Sequence, residues 1–340
     1  MAHVNELLSK EVIPMDYRVK IRFKGPLHIG FIDGVGEVSE GMVHADTLFS
    51  ALVCAYSKLF GSEKTAELIE NISDNTEETE LLISSAFYYV GDKYFLPRPK
   101  GENFNLEKIS QPKKLKKIKF VDEEIVTKNI AVEEKDIHGQ FLSKSEVQFS
   151  NGFEGPVEIF ERPRAGINRI NSKSNLYYFS EVHFAPNCGL WFYLRVGKEL
   201  KEEILASLKL LADEGLGGDR TYGFGNFEYK IEEVQLPVVG DKYLLLSPYI
   251  PSKNDYTNES KEIAKEISDA YELKYRTGYI FGTDQKAKRV VMFTEGSVFK
   301  KPVRGKILDI TPDGFEKTYG YRVYRYGKAF LLPFKGGNNV

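Results

Sequence analysis

"KEEILASLKLLADEGLGGDRTYGFGNFEYKIEEV", residues 201–234, runs from a helical pattern through a glycine-rich stretch into a strand pattern. Ile204, Leu205, Leu208 and Leu211 recur at helical spacing, which predicts an amphipathic helix over 201–215 that Gly215 ends. "FGNFEYKIEEV" then reads as a strand. Between them, five glycines fall within eleven positions, and glycine on that scale costs chain entropy. Two readings explain it. Glycines 217, 218, 223 and 225 can let backbone N–H groups converge as a nest for an anion. Arg220 would add a fork suited to phosphate, and Tyr222 and Phe224 would add faces for stacked bases. Alternatively the glycines serve a tight helix-to-strand connection. No Lys-Ser/Thr follows them and the loop follows a helix, so neither the Walker nor the Rossmann phosphate geometry applies.

Working outward, "YRVKIRFK" (17–24) alternates perfectly, with Tyr17, Val19, Ile21 and Phe23 on one face and Arg18, Lys20, Arg22 and Lys24 on the other. "ADTLFSALVCAYSKLFG" (45–61) carries a helical stripe of Leu48, Ala51, Leu52, Ala55 and Leu59, with Asp46 as cap and Gly61 past the end. "SSAFYYVGDKYFLPRP" predicts a hairpin turning at Gly91 and Asp92, and "LWFYLRV" (190–196) a further strand. The order is β–α–β–β–α–β with an insertion at about 100–187, a ferredoxin-like or RRM-like pattern in which two helices cover one face of an antiparallel sheet. Residues 1–16 read as a leader, and 17–235 as the first domain. From 240 to 335 short strand patterns predominate, with "NESKEIAKEISDAY" as the one helical stretch. This predicts a second, β-rich α+β domain, without a repeat by residue identity.

The chain has 340 residues and a net charge of −2, which excludes a uniformly basic coat but not basic patches. No apolar run approaches a membrane span and the first fifteen residues lack a signal-peptide pattern. Two cysteines, Cys54 and Cys188, have no metal-ligand neighbours at useful spacing, and Cys54 is expected to be a buried thiol. A reducing cytoplasm fits.

Three segments concentrate positive charge. Residues 162–173 hold Arg162, Arg164, Arg169 and Lys173 without an acid, either a hairpin lying along a phosphate backbone or a solvated surface hairpin. Between 98 and 119, eight Lys or Arg face Glu102 and Glu107, a solvated face by default. The basic side of strand 17–24 gains interest because RRM-like domains take RNA on an uncovered sheet face. His28 and His44 flank the first strand–helix connection, where either could be a general base, although spacing implies no partner for them.

"VHADTLFSAL" (43–52) after "GPLHIG", "RPRAGINR" and "LYYFSEVHF" in the insertion, "GLGGDRTYGFGNFE" and the closing "YRVYRYGKAFLLPF" together resemble the RAMP superfamily of CRISPR proteins, and within it the fourth-subunit family of the type III-A (Csm) effector complex. The resemblance covers about residues 17–334. It implies two ferredoxin-like domains, the first with an inserted thumb hairpin, and a non-catalytic subunit without a cofactor that grips the repeat-derived 5′ handle of the crRNA. It also implies docking to a large polymerase-like subunit and to a backbone RAMP subunit. Carried over by position, the RNA-binding residues are Gly217, Gly218, Arg220, Thr221, Tyr222, Gly223, Phe224 and Gly225 in the loop, Arg162, Arg164, Asn168 and Arg169 in the thumb, and His44, Asp46, Thr47 and Ser50 at the first helix. The alternative is a RAMP endoribonuclease that cuts repeat RNA, with His44 or His28 as base.

Overall fold

The computed structural model describes residues 15–32, 37–39, 41–74, 76–102, 112–167, 174–257 and 262–336; most of the expected leader, together with Asn168, Arg169 and Lys173, lies outside them. The first half runs β1 (Met15–Phe23), α1 (Ala45–Asp74), β2 (Phe87–Val90), β3 (Lys93–Pro97), α2 (Glu123–Lys128), β4 (Val157–Ile167), β5 (Ser174–Phe184), β6 (Cys188–Val196), α3 (Lys201–Glu214) and β7 (Phe227–Glu233). Its sheet is ordered β7–β1–β6–β2–β3 before continuing into the insertion. Val19 stands opposite Phe192 of β6 on one side and Ile231 of β7 on the other, both antiparallel. β2 and β3 meet at Val90 and Lys93, so the hairpin turns at Gly91 and Asp92 as the sequence predicts.

The helices cover one face. Leu48 and Leu52 of α1 and Ile204, Leu208 and Leu211 of α3 are buried with Ile21, Phe192, Leu194 and Phe227. The other face is not open. Phe87, Tyr89, Trp191 and Tyr193 pack with Ile125 and Val126 of α2 and with Leu244, Leu246, Phe330 and Leu332 of the second half. β6 is therefore buried on both faces, which accounts for the unbroken apolar run "LWFYL" (190–194). Each fully buried aromatic there contributes on the order of 2–3 kcal/mol. The basic face expected to be open on β1 is covered at Arg18 and Lys20, while Arg22 and Lys24 stay exposed and pair with Glu228. Arg18 lies over the Tyr94 ring at 4.2 Å and pairs with Glu232 at 2.7 Å and with Glu123. Lys20 donates to the Gly91 carbonyl at 2.7 Å.

The second half runs β8 (Lys242–Leu245), α4 (Ile263–Ile267), β9 (Ser268–Ala270), β10 (Leu273–Arg276), β11 (Val290–Phe293), β12 (Val298–Phe299), β13 (Gly305–Asp309), α5 (Phe315–Tyr319), β14 (Tyr324–Lys328) and β15 (Leu331–Phe334). Its sheet is ordered β9–β12–β8–β15, all antiparallel. Numbering the strands of that sheet 1 to 4 gives the order 4-1-3-2, the order that β7–β1–β6–β2 takes in the first half. The helix expected in "NESKEIAKEISDAY" shrinks to five residues, because Ser268–Ala270 pairs with Val298 and Phe299 as an edge strand instead. Residues 258–261 lie outside the described residues.

α1 also differs from expectation. Gly61 interrupts it at φ 86°, but the helix resumes and ends at Asp74. Cys54 is exposed rather than buried, and Leu59 is exposed too, because both lie off the Leu48–Leu52–Ala55 stripe. Cys188 is buried, which pushes its thiol up to about 11.

The two halves are joined along α1. Tyr326 packs on Phe49 at 4.9 Å, and its hydroxyl accepts from the Ile83 amide at 2.9 Å. Lys328 donates to the Ile72 carbonyl at 2.9 Å, and burial lowers its ammonium to about 8. At the start of α1, Asp46 is fully buried; its carboxylate takes Arg276 at 2.7 Å and Arg325 at 2.7 Å. Asp46 is thus an interdomain anchor inside the first turn, not the cap, and the Ser85 hydroxyl accepts from the Ala45 amide at 2.9 Å instead. His44 Nδ1 meets Glu295 Oε1 at 2.6 Å, and Ser85 donates to the same carboxylate.

Burial alone would raise the Asp46 carboxyl, but Arg276 and then Arg325 hold it far below the usual carboxylate range. A carboxylate with a depressed folded value stabilises the fold above its unfolded value of about 4, and that stability is lost as pH falls further. Asp46→Asn leaves two guanidiniums around a neutral amide, so urea unfolding at pH 7 should show a loss of roughly 3–5 kcal/mol. Between pH 5 and pH 2 (pH values we choose for the titration), the variant should lose less stability than the parent; equal losses would exclude Asp46 as the source.

Candidate nucleic-acid interface

The glycine loop is stitched to the chain that follows β1. Gly218 donates its amide to the His28 carbonyl at 2.9 Å and Gly225 to Pro26 at 2.8 Å, while Leu216 donates to Gly225 at 3.0 Å. Gly223 donates to Arg220 at 3.0 Å. The expected nest is corrected accordingly: three of its four glycine amides are spent on the protein's own carbonyls. The glycines at 217 and 225 answer to close approach. A Cβ at Gly217 would lie 2.2 Å from the His28 carbonyl oxygen, and one at Gly225 would lie 1.9 Å from that of Leu216; both residues have positive φ.

What the loop presents is side chains. Arg220, Thr221 and Tyr222 form a short 3-10 turn in which Thr221 is exposed and Tyr222 is 76% exposed. Phe224 is corrected as a stacking platform: it is buried, edge-on to Phe179 at 5.7 Å. Asp219 precedes the turn at φ 54°, in the left-handed region that favours glycine and tolerates aspartate.

The β4–β5 hairpin rises beside this loop, tied to the same chain after β1 through Leu27 and Val182, which exchange amide hydrogen bonds at 2.9 and 2.8 Å. Arg164 leans from the hairpin into the loop. Its guanidinium is 3.7 Å from the Phe179 ring centre and 5.7 Å from that of Tyr222, and it is ion-paired to Asp219. Arg162 pairs with the buried Glu181 at 3.0 Å, and Arg220 with Glu214 at 3.5 Å. His28 stacks on Phe179 at 4.1 Å and donates from Nδ1 to the Ser180 carbonyl at 2.8 Å, so its ring fills the wall between hairpin and loop.

Arg162, Arg164, Arg220, Thr221 and Tyr222 are therefore brought to one surface. The α1 group is not brought there as an accessible set. His44 and Asp46 are committed to Glu295, Arg276 and Arg325, and Ser50 donates to the Asp46 carbonyl at 2.9 Å. The Thr47 hydroxyl accepts from Arg276 at 3.5 Å, and its amide donates to Asp46 Oδ1 and to the His44 carbonyl, both at 3.0 Å. Asn168 and Arg169 lie outside the described residues. Sequence reasoning missed Asp219, Phe179 and Glu181. The signal for Asp219 was an acid inside an otherwise basic and glycine-rich loop. Among the described residues, no group of acids, histidines or cysteines could hold a metal ion, and no helix is long and apolar enough to cross a membrane.

Substitution separates the glycines. Gly225→Ala should lower stability by about 2 kcal/mol or more in a thermal or denaturant unfolding experiment, since backbone must move. Gly223→Ala, where a Cβ meets nothing, should cost only about 1 kcal/mol, from its positive φ.

Comparison with known proteins places the chain. The RAMP superfamily model matches residues 20–228, and the CRISPR Csm4 C-terminal domain model matches 239–334. The chain is 28% identical to the protein named Csm4 of Methanocaldococcus jannaschii, over 93% of this chain and 96% of that one. It is 27% identical to Csm4 of Thermococcus onnurineus, over 85% and 90%. Among solved structures it is similar to a chain of a Csm3–Csm4 subcomplex of a type III-A interference complex, with TM-score 0.58 and 24% identity over 94% of this chain and 99% of that chain. A chain from a Csm1–Csm4 cassette gives TM-score 0.57 at 20% identity, over 96% and 100%. With that superfamily's model spanning most of its first half and more than half of its length, the chain belongs to the RAMP superfamily of CRISPR proteins.

Proposed function

We propose that the chain is the Csm4 subunit of a type III-A CRISPR effector complex, and that it holds the repeat-derived 5′ handle of the crRNA without cleaving it. Its partners in this reading are the large polymerase-like subunit and a backbone RAMP subunit. The similarity to proteins solved as Csm1–Csm4 and Csm3–Csm4 assemblies supports that pairing. Both halves are read as ferredoxin-like units, 17–235 and 240–335, on the strand order they share, and the β4–β5 hairpin as the thumb.

The observation that carries the RNA reading is Arg164, suspended between hairpin and loop beside the exposed Tyr222. A phosphate can take the guanidinium from Asp219, and a splayed base can stack on the tyrosine. The Phe179 ring holds the guanidinium in place, so a phosphate can take the position of the carboxylate without moving the arginine. Nothing in the site favours cleavage. His28 is buried in the wall, and His44 stands with the Asp46–Arg276–Arg325 group rather than on the hairpin–loop surface that carries Arg164 and Tyr222.

The test is binding of a handle RNA by the full chain across a salt series. Arg164→Ala should weaken binding and reduce the slope of log K against log salt by about one unit. Tyr222→Ala should weaken binding by about 1–3 kcal/mol with the slope unchanged. If both variants bind as tightly as the parent, the site is elsewhere.

A further inference from the structure

Three rings of the second half are exposed on the β10–β11 hairpin, and one of them meets the glycine loop. The turn between β10 and β11 closes through Ala287, whose amide donates to the Gly278 carbonyl at 3.0 Å, and Ile280, whose amide donates to Gln285 at 2.9 Å. Ile280 and Ala287 point inward, onto Ile310 and Phe315. That alternation turns Tyr279 and Phe281 outward, at 58% and 64% exposure, and Tyr275 of β10 is also outward at 63%. Every one of these rings carries a cation on its face. Arg220 of the glycine loop lies 4.7 Å from the centre of Phe281, Lys286 lies 5.1 Å from Tyr279, and Arg289 lies 4.5 Å from Tyr275. Lys286 and Arg289 are exposed, whereas the neighbouring Lys288 is paired with Asp313 at 2.9 Å.

We propose that Phe281, Tyr279 and Tyr275, with Lys286 and Arg289, form a second stacking surface for single-stranded RNA that continues from the Arg220–Tyr222 turn onto the second half. This rests on the reading of the loop as an RNA site. Continuity is physical, because Arg220 belongs to the loop and covers Phe281. The chemistry fits a nucleotide chain, in which bases need aromatic faces and phosphates need cations at alternating positions. The core of a protein-docking face is depleted of lysine, whereas Lys286 stands over the Tyr279 ring here.

The experiment uses the full chain and a single-stranded RNA of handle sequence extended with uridines. Tyr279→Ala/Phe281→Ala should lower affinity on the order of tenfold while leaving the unfolding midpoint in place. Lys286→Glu should lower it as well, more strongly at low salt. Unchanged affinity in both variants overturns the proposal, including the case in which partner subunits no longer co-purify, which would make this a protein surface. Arg164→Ala and Tyr222→Ala, measured alongside, separate the two readings. If they weaken binding and the turn variants do not, only this proposal fails. If none of the four alters binding, the loop reading fails with it.

Discussion

Burial of β6 on both faces is the constraint on which the rest of the molecule depends. Leu190, Phe192 and Leu194 face the two long helices, and Trp191 and Tyr193 face the insertion helix and the second half. A strand so enclosed leaves no sheet face for a ligand. Recognition is pushed to the rim, where α3 ends, the hairpin rises and the chain after β1 passes beneath both. The rim is rigid because its amides are already bonded, so selectivity there has to come from side chains.

The site carries its own counter-charges. Arg162 sits on Glu181, Arg164 on Asp219 and Arg220 on Glu214. This reconciles a net charge of −2 with the proposed role in holding RNA. Each guanidinium is pre-oriented by a carboxylate that a phosphate can replace, and the resting surface is close to neutral. Non-specific attraction is correspondingly muted, since it scales with unneutralised positive charge.

The periodic parts were legible in the sequence. Strand 17–24, the hairpin at Gly91, the helix ended by Gly215 and the strand pair in the insertion all appear where residue alternation or stripes put them. The run "LWFYL" carries the message of two-sided burial in its lack of alternation. What stayed hidden depends on distant partners. Asp46 has the sequence signature of a cap, and only Arg276 and Arg325 show that it is an anchor. Tyr222 and Phe224 look equivalent in the chain, but Phe179 buries one of them. The strand order shared by the halves has no trace in residue identity, because hydrogen-bond order constrains backbones rather than side chains.

The anchor at Asp46 has a consequence for synthesis. Its two arginines lie 230 and 279 residues further along the chain. At ribosomal rates of about 5–20 residues per second, that carboxylate waits roughly 15–60 s for its second partner. Through that interval the first helix begins on an uncompensated charge, and the aromatic side of the first sheet has only the insertion helix to lie against. The first half therefore reaches its final packing only when nearly the last strand has emerged.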